Sequence, residues 1–152
     1  MIRIVISQQP FDAQAELARF AARRAGDSGA LASFTGYCRS RGEDGELDAL
    51  HLDHYPGFTE AEVERLATAV AARHGVDELL VIHRAGEVAP REPIVLVAAM
   101  SPHRRAAFDA VSELMDYLKT DAPFWKREVR GETSRWIEPT DLDRSRRNAL
   151  GE

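Results

Sequence analysis

Three groups of cations stand out in a chain whose formal net charge is -5: Arg39 with Arg41, His103-Arg104-Arg105, and Lys119 with Lys126-Arg127. The first follows an expected strand. The second opens an expected helix, where unpaired backbone N–H groups and the positive dipole end already disfavour more positive charge unless an anion is bound. That placement points to a phosphate or carboxylate site. In the third group Pro123 lies between Lys119 and Lys126, so the chain can turn back and bring both amines toward one pocket. Crowding two ammonium groups favours loss of a proton from the pair, and a lysine so placed can donate a proton, accept one or act as a nucleophile near neutral pH. Trp125, beside Lys126, could anchor a core or wall a site for a flat heterocycle.

Blander readings stand beside these. A lysine at a helix C-terminus interacts favourably with the dipole, so Lys119 taken alone reads as a solvated surface residue. His103 alone reads as a capping or surface histidine, and His83-Arg84 at a strand end divides between structural hydrogen bonding and site lining. His51 and His54 point to opposite faces of one strand and form no metal pair. No histidine–carboxylate cluster has ligand spacing, so no metal site is expected. Cys38 beside Arg39 could be an activated thiolate, but a lone cysteine near the end of an apolar strand reads better as a small hydrophobe. Arg144, Arg146 and Arg147 read as a solvated basic tail.

The elements that must position these residues follow from periodicity and punctuation. Ile2 to Ile6 is short and β-branched, hence a strand, and Asp12 can cap a helix carrying Leu17, Phe20 and Ala21. Residues 30–39 and 47–55 read as strands joined by the polar, glycine-containing stretch 40–45. Thr59 with Glu62 makes a capping box ahead of Val63, Leu66, Ala67, Val70 and Ala71, which fall on one helical face closed by Gly75. The runs 79–83 and 94–100 read as buried strands. Ser101-Pro102 reads as a helix start, with an apolar stripe reaching about Lys119. Residues 124–130 and 134–137 read as a hairpin, and the last dozen residues as a frayed polar end. The order β-α-β-β-α-β-β-α-β-β has too many adjacent strands for a doubly wound parallel sheet. It fits a single α+β domain with mixed or antiparallel sheets over residues 1–140, followed by a polar C-terminal tail, 141–152.

The totals agree. The 152 residues suffice for one domain with its own core, and 44% hydrophobic with 30% charged residues describes an ordinary globule. A mean hydropathy of -0.35 and the absence of any long apolar run exclude a membrane span. An acidic chain lacks the clustered basic excess of a nonspecific nucleic-acid binder. One cysteine excludes an internal disulfide and suggests a reducing, cytoplasmic home.

Five ordered segments then resemble one family, the large, catalytic subunit of molybdopterin synthase, over nearly the whole chain. They are Phe34 to Arg39, His54 to Gly57, Val81 to Glu87, Pro102 to Phe108, and Met115 to Glu128, which reads MDYLKTDAPFWKRE. The resemblance implies an α/β-hammerhead type of fold and a central homodimer within a heterotetramer, with a small ubiquitin-like sulfur-carrier subunit docked at each end. It implies that cyclic pyranopterin monophosphate is converted to molybdopterin by two sulfur additions. The sulfur donor would be the thiocarboxylated C-terminus of the small subunit, with no permanently bound cofactor. Position by position, Lys119 resembles the catalytic lysine and Lys126 a second functional lysine. Arg39, His103 and Arg104 resemble substrate-binding positions, and Arg127 and Glu128 continue the pocket segment. In that chemistry a cysteine at position 38 is incidental.

Two readings from other classes compete with an enzyme. A noncatalytic module for a phosphorylated pterin would use the same cations yet tolerate loss of Lys119. A scaffold for a ubiquitin-like partner would need the tail pocket and not the pterin.

Overall fold

In the computed structural model, which describes residues 1–151, the first half of the chain forms β1 (Ile2–Ser7), α1 (Ala13–Ala21), β2 (Ala30–Tyr37), the short pair β3 (Arg41–Gly42) and β4 (Gly45–Glu46), β5 (Ala49–His54) and α2 (Phe58–His74). The second half forms β6 (Glu78–Arg84), β7 (Gly86–Val88), β8 (Pro93–Ser101), α3 (Arg104–Thr120), β9 (Phe124–Arg130), β10 (Thr133–Ile137) and α4 (Asp141–Ala149). No helix among the described residues is long and apolar enough to cross a membrane.

The expected runs of apolar residues become the two central strands of a four-stranded sheet ordered β1-β6-β8-β2. Only the β1–β6 pairing is parallel, which makes the sheet mixed. Both faces of β6 and β8 are covered, which is why neither run shows an apolar–polar alternation. Leu79, Val81, Val95, Val97 and Ala99 face α2 and α3, where Val63, Leu66, Val70 and Leu114 complete the larger core. Leu80, Ile82, Leu96, Ala98 and Met100 face the other way and pack with Phe20 of α1. A second, antiparallel sheet is ordered β10-β9-β5-β7. The α+β architecture with mixed and antiparallel sheets is therefore the one the element order implies.

Several local expectations change. Thr59 does not cap α2. The helix starts two residues earlier after Gly57, whose φ of 85° suits glycine and whose N–H donates to Glu60 at 2.5 Å. Thr59 is instead fully buried, its hydroxyl accepting from Tyr55 N–H at 2.9 Å and donating to the Pro123 carbonyl at 3.2 Å. Ser101 does not cap α3 either. It ends β8, its hydroxyl accepts from His103 N–H at 3.1 Å, and His103 takes the cap position without a side-chain cap bond. Asp12 caps α1 as expected, accepting from Gln14 and Ala15 N–H at 3.0 Å, and Gly75 closes α2 at a left-handed φ of 67°.

The expected frayed end is mostly helical. Thr140 and Asp143 form a reciprocal capping box that opens α4. Arg147 ties that helix back to α3, with Nε 2.7 Å from Asp121 and the guanidinium 5.0 Å from the centre of the Tyr117 ring. Glu152, the last residue of the expected tail, lies outside the described residues.

Candidate functional site

The turn from α3 into β9 builds the site. Asp121 and Ala122 N–H both donate to the Tyr117 carbonyl, ending the helix just after Lys119. The buried Thr59 hydroxyl holds the Pro123 carbonyl, so the bend is pinned from α2. The chain then enters β9 between β5 and β10, where Lys126 lies opposite Leu52 on one side and Ile137 on the other. A cavity of about 1020 Å³ opens here, walled by the end of β2, the β3–β4 hairpin, the last turn of α3, β9 and residues 137–144.

Period-two alternation puts Phe124, Lys126 and Glu128 on one face of β9, and Trp125 also joins the lining from the rim. Arg127 points to the opposite face, its Nε 3.6 Å from Asp53 and its guanidinium 5.2 Å from the Trp136 ring centre. Arg127, expected to continue the pocket segment, does not line this cavity within the single chain. Glu128 is buried in the wall, with Arg130 Nη2 2.6 Å away in an ion contact not aligned as a hydrogen bond. Gly42 of the hairpin packs directly on that carboxylate, closer than a Cβ would allow, with the Glu128 Cδ 2.7 Å from where one would sit.

Lys119 and Arg39 also line the cavity, so the structure brings together Lys119, Lys126, Arg39 and Glu128. His103 and Arg104 are exposed at the other end of α3 and are not in the lining. Sixteen residues of helix separate His103 from Lys119, roughly 24 Å at about 1.5 Å per residue, so within one chain the two cation clusters cannot serve one small ligand.

The electrostatics single out Lys126. Burial lowers its pKa, the adjacent Lys119 ammonium lowers it further by charge and by a shared hydrogen bond, and Arg39 adds to this against an opposing Asp143, leaving Lys126 at about 8. An amine there exchanges its proton near neutral pH, which suits acid–base or charge-stabilising work. Cys38 is buried in the same wall, and burial raises its pKa, so it is a packed thiol and not an activated thiolate.

Two contributors, His83 and Asp143, were undervalued in the sequence, while Trp125 was read there as a candidate wall. His83 lines the cavity as a buried imidazole stacked on Phe124, with ring centres 3.8 Å apart and an interplanar angle of 13°. Its Nδ1 lies 2.7 Å from the Arg84 carbonyl, which fixes the proton on that nitrogen, and burial pushes its pKa down to about 3. The sequence clue was a histidine at odd spacing within Leu79 to His83, on the same face as Val81. Asp143 enters from α4 and was hidden by reading that segment as tail, although the Thr140 to Asp143 spacing of a capping box was visible. Trp125 stands at the rim, edge-on to Tyr55 at 5.2 Å between ring centres, and offers an exposed aromatic wall.

Comparison with known proteins gives concordant results. The family model described as "MoaE protein" matches residues 6–121. A molybdopterin synthase catalytic subunit of Mesorhizobium japonicum is 50% identical over 140 residues, covering 91% of this chain and 86% of that protein. A solved structure, the molybdopterin biosynthesis MoaE protein from Burkholderia ambifaria, superposes with a TM-score of 0.82 at 37% identity, covering 100% of this chain and 99% of that one. The fold is also shared, at a TM-score of 0.75 and 21% identity over 88% of this chain and 89% of the other, with a Helicobacter pylori structure described as a complex of subunits 1 and 2 of molybdopterin-converting factor.

Proposed function

Because the chain belongs to the MoaE protein family, we infer that it works as the catalytic subunit of a molybdopterin synthase, adding two sulfurs to cyclic pyranopterin monophosphate to form the dithiolene. The observation that carries the reading is the convergence of Lys119 and Lys126 in one cavity, with Lys126 held at about 8 by burial and its neighbour. The sulfur donor is the thiocarboxylated C-terminus of a small ubiquitin-like subunit, and no cofactor is permanently bound. The thiocarboxylate sulfur attacks a carbon of the pterin side chain and displaces an oxygen substituent, and water then cleaves the acyl–sulfur bond, leaving the sulfur on the pterin and a carboxylate on the small subunit, while Lys119 stabilises the developing negative charge or transfers a proton. Lys126 and Arg39 hold the anionic end, and Trp125 walls the ring.

The small partner is supported by the two-subunit complex named for the Helicobacter pylori protein of the same fold. The assembly follows as a homodimer of this chain within a heterotetramer. The dimer also gives His103 and Arg104 a role: too far from their own Lys119, they reach a cavity only on a second copy. A cytoplasmic location belongs to the same reading, supported by a single, unpaired cysteine.

The test is to mix purified chain, thiocarboxylated small subunit and pterin precursor and measure dithiolene product, with Lys119→Ala in parallel. Loss of roughly 10²–10⁴-fold in rate with precursor binding retained is expected for removal of a proton-transfer or charge-stabilising group. A folded native chain that binds both partners and makes no product would sink the enzyme reading.

A further inference from the structure

Donors crowd the main cavity and free acceptors are scarce in it. Arg39, Arg41, Lys119 and Lys126 all border it with N–H groups, whereas its carboxylates already have partners. Glu128 faces Arg130 at 2.6 Å, Asp121 accepts from Arg147 at 2.7 Å, Glu138 accepts from Arg144 at 3.2 Å, and Asp143 accepts from Thr140 N–H at 3.0 Å. One acceptor in the wall stands apart. Nε2 of His83 has no donor among the described residues.

That nitrogen is held in one chemical state and one place. The Arg84 carbonyl, 2.7 Å from Nδ1, can only accept, so the ring proton stays on Nδ1 and Nε2 carries the lone pair. Phe124 stacks on the ring with centres 3.8 Å apart, so a half-turn of the imidazole forfeits the carbonyl bond and a change of rotamer forfeits the stack. Arg84 is itself fixed, through its backbone by pairing with Ser7 of β1 and through its guanidinium by Glu92 at 2.6 Å and the Glu87 carbonyl at 2.7 Å. Burial, with Lys126 and Lys119 nearby, holds the imidazole pKa at about 3, so the ring is uncharged near neutral pH.

Packing alone does not call for a histidine here. Leu79 and Val81, on the same face of β6, are apolar and complete the larger core. A leucine or phenylalanine at position 83 could rest on Phe124 without burying an acceptor that lacks a donor, a cost that native interiors seldom carry without a use for the group. The 4% of His83 that stays open belongs to a residue lining this cavity, so the use lies there.

We propose that His83 is a specificity-determining residue of the cavity, its Nε2 accepting a hydrogen bond from an uncharged N–H or O–H group of the bound heterocycle. Such a donor brings no further positive charge into a wall that already holds two amines. The lysines and Arg39 draw in whatever anion is offered; His83 selects among anions by the ring they carry, because an occupant with no donor at that point leaves Nε2 unpaired and an occupant with one is matched. The assignment rests on the function proposed above, which supplies a pterin as the heterocycle.

The full chain, carrying isotope-labelled histidine, is titrated with the pterin precursor while binding is followed separately by calorimetry. The Nε2 resonance of His83 is expected to move to the hydrogen-bonded range in step with binding while Nδ1 stays in place. His83→Phe keeps a ring on Phe124 and removes the acceptor; it should weaken precursor binding at least about fivefold, as leaving a buried donor unpaired does. His83→Gln returns an acceptor without the ring and should bind within about threefold of the native chain. A ring that serves packing alone predicts the reverse order, with Phe like the native residue and Gln impaired. Precursor binding with Nε2 unmoved, or native affinity in His83→Phe, would overturn the assignment and leave the enzyme reading standing. A folded native chain that binds no precursor overturns both together. Should His83→Phe fail to fold, the Nε2 resonance of the native chain decides.

Discussion

Replacing Lys126 by methionine should make the protein more stable and less active at the same time. Folding takes the Lys126 pKa from the ordinary 10.5 to about 8, chiefly by burial and then by Lys119. At about 1.36 kcal/mol per pH unit this corresponds to roughly 3 kcal/mol of stability lost when the charged amine is folded into the wall. Between pH 8 and 10.5 the unfolded chain binds a proton that the folded chain has released, so stability rises with pH across that window and the cost is complete below it. Methionine keeps the apolar stem and the packing between Leu52 and Ile137 but carries no charge. Lys126→Met is expected to gain about 1–3 kcal/mol at pH 7, or roughly 2–10 °C in Tm for a chain of this length. That advantage should fade as pH approaches 10.5. Urea unfolding of both proteins at pH 7, 8.5 and 10 reads the difference directly. A methionine variant less stable than the native chain at pH 7, or a gain that does not change with pH, would refute the reasoning.

Three further outcomes follow from other parts of the structure. His83 has its pKa lowered from 6.5 to about 3, so the stability tied to its neutral form is complete above pH 6.5 and is lost as pH falls toward 3; His83→Phe, which keeps a ring on Phe124, should flatten that acid limb in pH-dependent urea melts. Glu92→Ala should cost about 3–5 kcal/mol in chemical denaturation, because it leaves the 2% exposed Arg84 as an uncompensated buried charge. Gly29→Ala should destabilise by about 1–3 kcal/mol, since its Cβ would overlap the Pro102 carbonyl oxygen, a backbone group that cannot swing aside; a Tm equal to that of the native chain would show that the loop yields.

What the sequence disclosed was whatever local chemistry decides. The Asp12 cap, the Gly75 stop and the buried runs of β6 and β8 each depend on a few neighbouring residues, and each formed as read. The cations around Pro123 were legible for the same reason. What stayed hidden depends on distant partners. Thr59 looked like a cap because its spacing to Glu62 is right, but its hydroxyl is claimed by Pro123, 64 residues away. The β3–β4 hairpin has two residues per strand, too few to announce themselves, and it is clasped by Arg130 and Arg135 from the far end of the chain. Alternation along β9 sets Arg127 on the face opposite Lys126, where within the single chain it lies against Asp53.

The lysine pair owes its character to being built from two different kinds of element. Lys119 ends a helix, where its exposed amine keeps water and the dipole for company, whereas Lys126 sits within a strand fixed by hydrogen-bonded neighbours on both sides. Had both come from one loop, repulsion would simply have spread them apart. Here the separation is set by backbone that repulsion cannot move: the helix stop at Asp121 and Ala122, the bend at Pro123 held by Thr59, and the register of β9 against β5. The fold therefore forces the charges together, and the less exposed amine yields by holding its proton more weakly. Asp143, arriving from α4, offsets part of that repulsion without removing it. A cavity arranged in this way is most relieved by an anionic occupant, which gives an incoming thiocarboxylate or phosphate an electrostatic reason to bind where an amine is ready to exchange a proton.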